Sequence, residues 1–417
     1  MNNKRNLTTL AKVLIAAVLV IAVVCVQFLL LPRLGFGTNK EMAFFSAERS
    51  VSYDFDSGAA FHSNDSRSYY FATRDSMRYM SSASDQPVWR YPFAFTNPWL
   101  AARGDYVAIG EESGGRVIYV FDQNGLLFQV SMEHTILSFW VNDTGFLSVV
   151  AEYEGGYGIY VFNQHRATQE NPLFHWDFYH DLIAPTHVEV SRDGTYLAIA
   201  RLDLSFTPKT SVQFRYMNQW DAWGTQGGLF ATEDFPNQIV TALRFMNDNR
   251  LIVATTSNIT CFQLGPGHTV SRRMWEIELE NQKTNIEFYN GSHFAYAAGS
   301  RLPMVAGEGD PVGTVRIFGI NGVQTGMFEL GRRVTHLRMG HNHVIVGGER
   351  GFNAVTLRGA PIWEHTTLYD TRDVLFLDNI NTILVAGSNQ AEVFVRRRVR
   401  EKAADNLGGV GTVDYVE

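Results

Sequence analysis

The sequence predicts an all-β protein: an eight-bladed β-propeller, carried on one N-terminal membrane-spanning helix. Three observations lead there. A four-strand phrase recurs along the chain with a period of roughly 40–50 residues, the length of one propeller blade. Aromatic residues make up 13% of the 417 and glycines number 36, a composition suited to pleated surfaces joined by tight turns. A single long apolar run stands apart from the repeats, near the N-terminus.

The first element is that run, "VLIAAVLVIAVVCVQFLLL", residues 13–31, with Gln27 as its one polar member. At ~1.5 Å per residue it makes about 28 Å of helix, close to the ~30 Å hydrocarbon core of a bilayer. The apolar region of a cleaved signal peptide is shorter, roughly 7–15 residues, and ends at small residues. Here Leu29, Leu30 and Leu31 end it and Pro32 stops it, so an uncleaved anchor is expected. Cys25 raises a lipidated alternative, but the bulky Val24 precedes it and the run continues beyond. Lys4, Arg5 and Lys12 precede the helix, which places residues 1–12 in the cytoplasm and the chain after Pro32 outside. Residues 32–43 read as a short tether, 44–400 as the propeller and 401–417 as a disordered tail. The expected location is therefore the cell membrane, single-pass, with the propeller outside.

The repeats follow. Their second strands are the clearest set: "SYYFATR", "DYVAIGE", "GFLSVVAE", "TYLAIARL", "RLIVATT", "HFAYAAGS", "HVIVGGE" and "TILVAGS". Each follows a turn with Gly, Asn or Asp, such as "SRDG" at 191–194 or "DNIN" at 378–381. The fourth strands share an aromatic beat in Trp89, Trp176, Trp275 and Trp363, with Phe128 and Phe328 in the equivalent place elsewhere. A large ring at a repeated position predicts a wedge between neighbouring sheets. Eight second strands imply eight blades; seven is the alternative, because residues 42–98 are the least regular. The last repeat supplies only three strands, and "AFFSAERSVSYDF" after the tether is expected to provide the fourth and close the ring.

Fourth-strand aromatics and Gly-x-x-x-Trp phrases, such as Gly359 to Trp363, resemble those of the quinoprotein-like (PQQ-like) bacterial propeller superfamily over residues 45–400. The layout as a whole also resembles uncharacterised Gram-positive membrane proteins with one span and an external propeller. The resemblance implies architecture rather than activity. The vicinal cysteine pair that many quinone-dependent members carry is absent: the two cysteines are Cys25 and Cys261.

The net charge of −7 disfavours a nucleic-acid partner, which needs a basic footprint. The segment before Gly35 holds only basic charges, so the rest is more acidic still. No nucleophile elbow, phosphate loop or zinc-protease motif occurs, so no catalytic residue and no cofactor are assigned. "FHWDFYHDLIAPTH" is the densest His/Asp stretch, and His175, Asp177 and His180 are weak metal candidates against a polar blade junction. His336, His341 and His343 form a second histidine group, with Gly340-His341-Asn342 expected as a hairpin turn and the turn histidine solvated. Glu111 and Glu112 are paired in a turn without a visible partner. The long "DLSFTPKTSVQFRYMNQWDAWGTQGGLFATEDF" hairpin makes Trp220, Trp223 and Phe230 the candidate interaction residues. The expected function is a non-enzymatic scaffold that binds another envelope protein or a wall polymer. A hydrolase, a lyase or a glycan-binding module using the central funnel is the alternative.

Overall fold

In the computed structural model the described residues are 41–400 and 414–416, apart from 56, 65, 113, 180–181, 206–208, 218–227, 248, 266–270, 280–282, 290 and 299–312. The predicted cytoplasmic segment, the helix at 13–31 and nearly all of the tether and tail therefore lie outside the described residues. No helix occurs among the described ones.

The chain divides into two units, 47–395 and a second made of 1–46 with 396–417. In the second unit, Asp414–Val416 pairs antiparallel with residues 398–400, so a strand occurs within the predicted tail. The strand Glu41–Ser52 begins inside the predicted tether.

The propeller unit is built of eight antiparallel sheets. Seven are four-strand meanders taken in chain order: blades 1 (60–92), 2 (98–131), 3 (135–178), 4 (183–236), 5 (240–278), 6 (283–329) and 7 (336–366). Blade 8 takes Asp373–Phe376, Thr382–Ala386 and Gln390–Arg400 from the C-terminal end, with Glu41–Ser52 added outside them. The expected count of eight and the expected closure by the N-terminal strand both hold. Tyr53 N–H donates to Asn389 O at 2.9 Å, and the Tyr53 hydroxyl donates to Gly387 O at 2.8 Å. These bonds fasten the two ends of the propeller sequence together.

All eight quoted apolar phrases are second strands, and burial explains why they stand out. Val107, Ala108 and Ile109 are each fully buried. Val107 and Ile109 point into the cluster shared with blade 1, and Ala108 into the cluster shared with blade 3. In blade 5, Leu251 and Val253 face blade 4, while Ile252 and Ala254 face blade 6. A strand covered on both faces loses the apolar-polar alternation of a half-exposed strand and reads as an unbroken apolar run.

The four tryptophans each reach the next blade, and three of them make the same bond. Trp89 Nε1–H donates to Gln123 O at 2.9 Å, Trp275 to Ile320 O and Trp363 to Ile380 O at 3.0 Å. Each acceptor lies in a hairpin turn of the next blade. A buried indole needs such a partner, so the wedge is fixed in position as well as packed. Trp176 meets the next blade differently: the Arg215 guanidinium lies 3.9 Å from its ring centre. Phe128 and Phe328 pack against the clusters between blades 2 and 3 and between blades 6 and 7. Two glycines permit this closeness. Gly322 has φ +78°, and a Cβ there would lie 2.6 Å from the Trp275 ring. A Cβ on Gly359, φ +81°, would lie 2.0 Å from Met327 O in blade 6.

Trp363 is 6% exposed. Trp363→Ala is expected to lower unfolding free energy by about 3–5 kcal/mol, as a large-to-small core change that also frees Ile380 O. Chemical denaturation measures this, and a loss below about 1 kcal/mol would show that the ring is not a wedge.

Candidate functional site

The meander gives the propeller two unlike ends. Turns between first and second strands, and between third and fourth, gather at one end. Connections between second and third strands, and from blade to blade, gather at the other.

At the first end the innermost strands enclose a cavity of about 530 Å³ on the propeller axis. Its charged lining is Arg103, Arg244, Glu287 and Arg338, joined by His62 and His341. The register of the sheets shows why these residues meet. In blades 4 to 7 the residue opposite the third position of the second strand is, in turn, Glu189, Arg244, Glu287 and Arg338. One structural position thus alternates in sign from blade to blade. In blades 1 and 8 the same position holds His62 and Leu375.

Most of this charge is paired internally. Arg338 lies 3.1 Å from Asp373 and 3.6 Å from Glu287, tying blade 7 to both neighbours. Those two carboxylates hold the Arg338 guanidinium firmly in its charged form. Arg103 of blade 2 reaches past blade 3 to Glu189 of blade 4. Glu189 also accepts from Phe245 N–H at 3.3 Å. Burial pushes the Glu189 carboxyl up while Arg103 opposes the shift. Arg244 is the exception. Its guanidinium lies 5.7 Å from the Phe288 ring centre, and among the described residues no carboxylate comes within 4 Å of it. His62 Nε2 sits 2.9 Å from Gly104 O, and burial pushes its imidazole below the ordinary histidine range. The ring is therefore neutral at pH 7, with Nε2–H as donor to that carbonyl.

At the second end, large apolar side chains are exposed. Phe55 lies between blades 8 and 1, Tyr179 between 3 and 4, Ile239 between 4 and 5, and Leu368 between 7 and 8. Trp99 is the second residue of the innermost strand of blade 2, and Leu204 follows the second strand of blade 4. Leu368 is 97% and Tyr179 73% exposed. Tyr179 stands edge-on to Tyr153 with centroids 5.6 Å apart, and Tyr153 touches His134 at 5.2 Å. The cavity-end turns include polar ones, as in "DQNG" at 122–125 and "SRDG" at 191–194, while Val88, Leu126, Leu229 and Val323 are exposed apolar residues at or beside turns of that end.

The residues singled out in the sequence fall as follows. His175 and Asp177 share a strand face as expected, with His175 Nε2 2.7 Å from Asp177 Oδ1 and the imidazole stacked on Tyr160 at 4.3 Å. His180 lies outside the described residues, as do Trp220 and Trp223. His187 is on the innermost strand of blade 4, stacked on Trp140 at 5.6 Å. Phe230 packs on Tyr216 at 4.5 Å and against Phe214 and Tyr196. His341 and Asn342 take left-handed φ values of 49° and 60°, the expected hairpin turn. The turn histidine is not simply solvated, as the sequence suggested: its Nε2 lies 2.5 Å from Leu377 O in blade 8. Glu111 and Glu112 do have a partner. Glu111 accepts from the backbone N–H groups of Thr96 and Asn97, and Glu112 from the Asn97 side chain, so the pair anchors the loop between blades 1 and 2. Among the described residues, no three His, Cys, Asp or Glu side chains are grouped to hold a metal ion. Burial pushes the Cys261 thiol up to about 11, which leaves it inert.

Residues 47–394 match the model of a family described as being of unknown function, DUF5711. The chain belongs to this family. No curated protein matches the sequence. Among solved structures, the C-terminal WD40 domain of Sif2 is similar at a TM-score of 0.56 and 11% identity, covering 84% of this chain and 98% of that one. Saccharomyces cerevisiae Sqt1 is similar at 0.53 and 12%, with coverage of 84% and 98%. BamB from Moraxella catarrhalis is similar at 0.48 and 14%, also with coverage of 84% and 98%. At these identities the likeness shows the fold alone, a β-propeller, and the Sif2 and Sqt1 alignments carry it.

The Arg103–Glu189 pair is nearly buried, with side chains 14% and 4% exposed. Removing one partner leaves an uncompensated buried charge, so Glu189→Ala is expected to cost about 3–5 kcal/mol. Replacing both with Met is expected to recover most of that loss in chemical denaturation. A double variant no more stable than Glu189→Ala would show that the charges are not coupled.

Proposed function

We propose that this DUF5711 member is a membrane-anchored, extracytoplasmic propeller that acts as a non-enzymatic interaction module, docking another envelope protein on its apolar end. The gathering of the two most exposed apolar side chains, Leu368 and Tyr179, with four others at that end carries the reading. Phe55, Trp99, Tyr179, Leu204, Ile239 and Leu368 come from separate connections, yet the meander delivers all of them to one end. Exposed aromatic and aliphatic side chains gathered on one surface are the physical mark of a protein interface.

The membrane anchor rests on the apolar run at 13–31 and its basic N-terminal flank. Thr382 pairs with Val395, and Tyr53 bonds to Asn389, which puts Ala47 and Val395 at the cavity end of the propeller. The axial cavity suits binding better than acid–base catalysis, since its cations are arginines that do not release protons near neutral pH. Trp220 and Trp223 remain candidates for a second contact surface.

In-cell cross-linking of the full chain tests both parts. The wild type is expected to yield a discrete cross-linked product in the membrane fraction. Trp99→Ser combined with Tyr179→Ser and Leu368→Ser is expected to lose that product while thermal stability holds. An unchanged product would contradict the docking end, and recovery of the chain in the soluble fraction would contradict the anchor.

A further inference from the structure

We propose that the axial cavity is a binding site for a small hydroxylated oxyanion, a carboxylate or phosphate ester, held by Arg244. The argument begins with the charges that line one space of about 530 Å³, a volume suited to a small organic molecule. The three cavity arginines differ in what they already touch. Arg103 is bound to Glu189. Arg338 is bound to Glu287 and Asp373. Arg244 has neither a carboxylate nor a hydrogen-bond acceptor among the described residues, and rests near the Phe288 ring.

A structure that pairs two of three neighbouring arginines and leaves the third pointed into a cavity has an unspent charge there. A guanidinium presents a planar fork of donors that matches the two oxygens of a carboxylate or phosphate, and that match is strongest where water is partly excluded. The pairs around it make the site selective. Glu189 and Glu287 occupy the equivalent positions in the blades on either side of Arg244, so a large polyanion meets repulsion where a single oxyanion does not. Ser63 and Asn64 line the same cavity, and Ser63 Oγ and Asn64 Oδ1 have no hydrogen-bond partner among the described residues. The Asn64 amide is held by Asp105, to which its Nδ2–H donates, while rotation of the Ser63 hydroxyl turns it toward the cavity, which suits a hydroxyl group of a sugar-like ligand. Phe61 and Phe376 supply apolar wall beside them.

This site lies at the end opposite the apolar loops and involves none of the residues assigned to docking. Its test is therefore independent of the protein-partner reading. The full-length protein is titrated by isothermal calorimetry with glycerol 3-phosphate, with glycerate and with glycerol, at constant ionic strength. At least one of the two anions is expected to bind with unit stoichiometry, and the difference between them identifies the phosphate or carboxylate source. Glycerol lacks the oxyanion and is expected not to bind. Arg244→Gln is expected to weaken binding at least about tenfold, while Arg244→Lys, which keeps the charge but not the fork, retains part of it. Ser63→Ala, a small change with an unaltered melting temperature, is expected to weaken binding by a few-fold and guards against a folding defect in the arginine variants. Failure of both anions to bind, or wild-type affinity in a folded Arg244→Gln protein, overturns the proposal.

Discussion

Every feature of this propeller depends on sheet-against-sheet packing that has no free end. A four-stranded sheet with two apolar faces cannot stand alone in water, and each blade here covers one face of the next. The arrangement works only if the last blade also meets the first. Leu375, Leu384 and Val393 of blade 8 pack with Phe61, Tyr69 and Phe71 of blade 1, and Val51 and Tyr53 of the returning N-terminal strand join them. The cooperative unit is thus the whole ring.

Closure also creates the charged cavity and the apolar end. Because every blade is the same meander, a given position in the repeat lands at the same height on the axis in each blade. Residues some forty positions apart become neighbours. Glu189, Arg244, Glu287 and Arg338 belong to four different repeats and meet as one charged layer. The apolar end is assembled in the same way from blade-to-blade connections. The fold supplies the geometry, and substitutions at equivalent positions supply the chemistry.

This explains which parts were legible in the sequence. The second strands were, because double-sided burial writes unbroken apolar runs, as in Ile199 and Ala200 or Val344 to Val346. The tryptophan wedges were, because a large ring recurs on the same strand. The axial charges were not: Arg244 in "ALRF" and Arg338 in "HLRM" look like ordinary polar positions of an alternating strand. Only aligning the first strands of all repeats, position by position, would have revealed their alternation with Glu189 and Glu287. The apolar end escaped notice because each contributor, such as Leu368 or Phe55, is a single residue in its own loop. The dense histidine stretch drew attention instead, yet within it His175 serves Asp177 and Tyr160 while His187 faces Trp140. Nearness in sequence is a poor guide to convergence in a ring.

The most direct measurement of ring closure is hydrogen exchange at the backbone amides of residues 48–53 in the full chain. The account predicts protection there comparable to that of Val107 to Ile109, since both strands open only when the ring unfolds as a unit. Fast exchange at 48–53 alongside protected blades would contradict it, showing that the ring stays folded without its closing strand.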